Sequence, residues 1–178
     1  MQPASVERLP VVGVACLALF IATIFAANWA IVEFGPVGVG FGLTAPAGVY
    51  FAGLAFTFRD VVHRQLGRRF VIAAIVAGGL VTLLVSTTFA VASAVAFLVS
   101  ELADFAVYEP ARRRGWLPAV ALSNLAGLSV DSVLFLWLAF GSLAFLPGQL
   151  LAKAWTTLAA IGLLAAIRSW TRPRLELV

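Results

Sequence analysis

Charge is what this sequence has least of. Only 11% of its 178 residues are Asp, Glu, Lys or Arg and 62% are hydrophobic, whereas a soluble domain carries roughly 25% charged residues. There is one cysteine, Cys16, and it lies inside the first apolar run, which excludes a disulfide or a cysteine-ligated metal within the chain. There is also one histidine, His63. No Ser, His and Asp set, no His-x-x-x-His spacing and no glycine-rich phosphate loop is present, so neither an enzyme nor a bound cofactor or metal is expected. Long apolar runs are abundant instead. The mean hydropathy is +1.05, the signature of an integral membrane protein. A bilayer-crossing helix takes about 20 apolar residues, so the length accommodates about six and leaves no room for a soluble domain.

The expected fold class is therefore all-α: six transmembrane helices in one bundle, a single transmembrane domain over 1–178, with spans at 11–32, 45–62, 70–86, 89–108, 117–140 and 147–170. The first run is too long for the core of a signal peptide and reads as an uncleaved helix. Residues 33–44 contain Pro36 and several glycines and read as a loop. Ser86, Thr87 and Thr88 mark a tight turn between the third and fourth spans. Gly78 and Gly79 favour a close helix approach.

The net charge of +4 and the pI near 10.2 do not point to nucleic acid, because the arginines form short clusters between apolar runs. Outside the spans, Lys and Arg occur at Arg8, in the loops after spans two and four, and at Arg168, Arg172 and Arg174. All of these segments fall on one side of a six-span chain. The positive-inside rule then places both termini in the cytoplasm and the protein in the inner (cytoplasmic) membrane.

Few polar residues interrupt the spans, and each needs a reason. The run ASAVAFLVSELAD, Ala92 to Asp104, carries Glu101 and Asp104. An acidic residue at a helix centre costs about 2.5–3.5 kcal/mol on insertion scales, so a partner, water or a ligand is required. On a helix these two share a face with Phe97 and Tyr108, a stripe suited to a flat polar ligand. Asn124, Gly127 and Asp131 recur at helical spacing in the fifth span. Lys153 in the sixth reaches the depth of Asp131, either to fasten two helices or to serve a site. Asn28 is a helix-packing or a site residue. Arg59, one turn from a basic loop, reads as snorkelling to headgroups with Asp60 as its neutralising neighbour. A short echo, ANWAIVE at 27–33 against ADFAVYE at 103–109, points to two inverted three-helix halves with a site between them.

These polar positions carry a resemblance. FRD with Arg59 and Asp60, ASAVAFLVSELAD continued to Val107 and Tyr108, the arginine-rich loop with Trp116, and SNLAGLSVDS continued to Val133 and Phe135 resemble the vitamin uptake transporter-like family, whose characterised members import queuosine precursors. The likeness runs from about Ala45 to Phe140. It departs at Glu101, where members often have glutamine, and in the first span. It implies a transporter for a 7-deazaguanine base such as 7-cyano-7-deazaguanine, with Glu101, Asp104, Phe97, Tyr108, Asn124, Asp131 and Asn28 as substrate-binding candidates and Lys153, Arg59 and Asp60 as pairing residues. The implied partners are the purine-like base and the lipid bilayer, with a homo-oligomer or a separate energising subunit left open. A transporter of another solute or vitamin and a non-transporting scaffold or permeabilising protein are the alternative readings.

Overall fold

The computed structural model describes residues 10–171; Arg8, Arg172 and Arg174 lie outside the described residues. Six helices follow one another: α1 (Val11–Phe34), α2 (Val49–Leu66), α3 (Arg68–Thr82), α4 (Thr87–Ala111), α5 (Trp116–Phe140) and α6 (Leu146–Thr171). By length and composition, three segments among the described residues are able to cross a membrane: Val11–Phe34, Thr87–Ala111 and Leu122–Phe140. The outward surface supports this, since Leu84, Leu125 and Trp137 are 86%, 63% and 60% exposed. An apolar exterior of that extent belongs in lipid.

The expected third span, 70–86, is shorter than anticipated. Helix α3 has 15 residues, or about 22 Å at 1.5 Å per residue, less than the roughly 30 Å of hydrocarbon. It ends at Thr82, and the chain turns through 83–85 before Ser86 caps α4 by accepting a hydrogen bond from the Phe89 amide at 3.3 Å. The expected turn residues are thus the cap and first residues of α4.

The segment read as a loop, 33–44, is not irregular. With the residues that follow it forms an antiparallel hairpin, β1 (Pro36–Gly40) and β2 (Leu43–Pro46), so the fold is not purely helical. Val37 and Val39 alternate with glycines and share one face of β1, and Val39 is buried. The connection runs through Gly40, Phe41 and Gly42 at φ 108°, 52° and 74°; the two glycines adopt such angles without steric cost, whereas Phe41 is a non-glycine residue in the left-handed region. The two prolines pair at the open end, where the Ala47 amide donates to the Gly35 carbonyl and closes the hairpin.

Small residues decide which helices meet. The hairpin lies on the start of α6, where a Cβ added at Gly148 would strike the Thr44 carbonyl; Val39 and Ala45 pack there with Val49 and Ala152. Gly53 of α2 admits Thr156 of α6, and Gly78 of α3 admits Ile24 of α1. The expectation of close approach holds at Gly78. Helix α4 packs along α5, with Gly127 against Ser100 and Asp104. The main core joins Phe20 and Ile24 of α1, Ala55 and Val62 of α2, Val71 and Ile75 of α3, and Phe97 of α4.

Candidate functional site

A cavity of about 50 Å³, measured as room for the centres of water-sized spheres, lies between the helices and receives residues from all six of them. One water needs about 10–15 Å³ on that measure, so the space holds several. Its wall is mostly apolar. Polar groups enter at Thr23, Asn28, Ser93, Asp131 and Gln149, and the aromatic rings are Phe97 and Phe135.

Each polar group has a definite state. Thr23 is satisfied locally, its hydroxyl donating to the Phe20 carbonyl. Asn28 is 1% exposed; its amide donates to the Ile24 carbonyl at 2.8 Å and its oxygen accepts from Ser93 Oγ at 2.7 Å. It therefore both ties α1 to α4 and faces the cavity. Asp131 accepts from Lys153 Nζ through Oδ2 at 2.6 Å, and Lys153 donates a second bond to Ser132 Oγ at 2.8 Å. The expected pairing of Asp131 with Lys153 is present, and Lys153 has no exposure at all. Gln149 is buried, with Oε1 lacking a hydrogen-bond partner.

The acidic stripe of α4 is divided between different tasks. Phe97 belongs to the core and the cavity wall, stacked on Phe56 at 4.9 Å with 21° between the planes. Glu101 is occupied: its Oε1 lies 2.6 Å from Arg59 Nε. The N–H does not aim at that oxygen, so the contact is an ion pair without a directed hydrogen bond. Asp104 rests against Gly127 with its Oδ1 buried and unpartnered. Glu101, Asp104 and Tyr108 are not part of the cavity lining. Asn124 is also outside it, exposed on α5 while Gly127 and Asp131 are buried.

Arg59 departs from the snorkelling expectation. It is 4% exposed and points inward, held by Glu101 on α4 as well as by Asp60 at 2.9 Å. The physical reason is that Glu101 offers a full negative charge inside the bundle, a better partner than distant headgroups for a guanidinium already desolvated by its helix. Phe56 adds to this, with its ring 5.5 Å from the Arg59 guanidinium and 5.4 Å from Lys153 Nζ. Both buried cations therefore share one aromatic ring.

Gln149, Ser93 and Phe135 are site residues that sequence reasoning does not single out. A signal exists for Gln149, the sole glutamine inside an expected span, but the charge of Lys153 four residues on draws attention away from it.

Residues 82–170, half of the chain, match the family described as "Putative vitamin uptake transporter". The chain belongs to this family. The match covers α4, α5 and nearly all of α6, which contribute Ser93, Phe97, Asp131, Phe135 and Gln149 to the cavity. No curated protein and no solved structure matches the chain.

Proposed function

We propose that this member of the family imports a 7-deazaguanine base of the queuosine-precursor class, bound in the central cavity, with the chain passing through the inner membrane six times and α3 completing its passage with the turn at 83–85. The observation that carries the reading is the cavity itself, which gathers Asn28, Asp131 and Phe97 from three helices in a chain of a transporter family. A deazaguanine presents adjacent N–H groups beside a carbonyl on a flat ring. A carboxylate and amides in an aromatic-lined space are suited to such an edge. No catalysis is assigned.

Expression in a host unable to make or import the precursor, supplied with 7-cyano-7-deazaguanine, is expected to restore queuosine in tRNA. Intact expression without queuosine overturns the substrate. Uptake of a different vitamin by the same cells identifies the other-solute alternative, and non-selective leakage identifies the permeabilising one.

The proposed orientation has the arginine loops at Arg68 and Arg113 and both termini in the cytoplasm. With Cys16 replaced, cysteines introduced beside these arginines are expected to react only with membrane-permeant reagents. Cysteines at Gly38 and Ser142 are expected to react from outside. Reversed labelling inverts the topology.

A further inference from the structure

Gln149 is 3% exposed and lines the cavity while its Oε1 has no hydrogen-bond partner. Native proteins satisfy nearly all buried polar atoms, so an unmet acceptor facing a cavity points to something that fills it. The neighbouring groups define what that is. Lys153 donates to Asp131 Oδ2. The Asn28 amide uses one N–H on Ile24, and its oxygen is engaged by Ser93. A glutamine amide and an asparagine amide each carry two N–H donors. The cavity thus presents one open acceptor, Gln149 Oε1, beside an ion-paired carboxylate and amide donors. Lys153, the cation held by the lining residue Asp131, is already neutralised by it.

We infer that Gln149 is the specificity-determining residue of the cavity, accepting from an N–H donor of a neutral, flat ligand, and that the site rejects carboxylate ligands. This rests on the cavity being the transport site. An anion entering it meets the Asp131 carboxylate and no unpaired cation in the lining, so its charge is desolvated without compensation. A neutral ring with an amino or lactam N–H satisfies Gln149 Oε1 and stacks on Phe97 or Phe135.

The test uses the purified full chain in lipid nanodiscs at a mildly alkaline pH with three flat probes: 7-cyano-7-deazaguanine, 2,4-diaminopyrimidine, which is uncharged under these conditions and has donors but is no deazaguanine, and nicotinate. The two donor probes are expected to bind the parent and nicotinate not to. Gln149→Leu is expected to weaken both donor probes about tenfold, the worth of one neutral hydrogen bond. Gln149→Glu keeps a carbonyl oxygen in either protonation state and is expected to retain binding. The melting temperature of the ligand-free Gln149→Leu protein supplies an independent readout. It is expected to equal or exceed the parent's, because the substitution removes an unmet polar atom, whereas a structural glutamine would give a fall.

If 2,4-diaminopyrimidine binds through Gln149 and the deazaguanine does not, the inference stands and the deazaguanine assignment fails. The inference itself is overturned by nicotinate binding to the parent, by failure of both donor probes, or by a Gln149→Leu protein that melts earlier with unchanged affinity.

Discussion

Lys153→Met is expected to destabilise the purified protein by about 3–5 kcal/mol, the cost of stranding a buried charge. The lost hydrogen bonds alone would not account for this, since side-chain bonds between membrane helices average about 0.6 kcal/mol. Most of the loss comes from Asp131, 6% exposed and left without its cation. Asp131→Asn is expected to act similarly through Lys153, which would retain Ser132 Oγ and the Phe56 ring as neighbours but no counter-charge. In the double variant Asp131→Asn with Lys153→Met neither charge remains, and much of the loss is expected to return as a coupling of up to about 3 kcal/mol. Unfolding of the four proteins in one detergent measures it. Strictly additive losses would show that the pair contributes no coupling.

The second large effect lies at Arg59 and Glu101, and it is asymmetric. Arg59→Met removes the cation beside Glu101, which is 12% exposed, and is expected to cost about 3 kcal/mol, the low end for a broken buried pair because some water still reaches the carboxylate. Glu101→Gln leaves Arg59 with Asp60 at 2.9 Å and the Phe56 ring, so about 1 kcal/mol is expected. Equal losses in unfolding experiments would contradict this account. A Glu101→Gln protein of unchanged stability that no longer binds ligand would make Glu101 a binding residue after all.

The pattern of spans is legible because apolar runs and arginine clusters are properties of the sequence alone. Pairing is legible only where the arithmetic is simple. Lys153 is expected somewhat outward of Asp131 on the next helix and within reach of it, and the structure joins them. Arg59 and Glu101 are separated by two intervening turns and a helix, and nothing in the spacing of α2 announces that its arginine turns inward. The hairpin is hidden for a different reason. Glycine and proline read as helix breakers, although the alternation of Val37 and Val39 with glycine has the period of a strand. Asn124 shows the limit of a helical wheel: its spacing to Asp131 is right for a shared face, but a residue two turns away escapes the neighbours that cover Asp131.

Gly53 against Thr156 and Gly148 against Thr44 lock α2, the hairpin and α6 together with no space for a side chain between them, while α4 and α5 are joined at Gly127. These close contacts outline two groups of elements, α2 with the hairpin and α6, and α4 with α5, along a line that differs from the two halves of the sequence. Both inter-helix ion pairs cross that line, Arg59 of α2 to Glu101 of α4 and Lys153 of α6 to Asp131 of α5. They act as two clasps on one seam. A relative motion of the two groups would stretch both clasps together, and Phe56, beside both cations on the α2 side, also stacks across that boundary on Phe97 of α4.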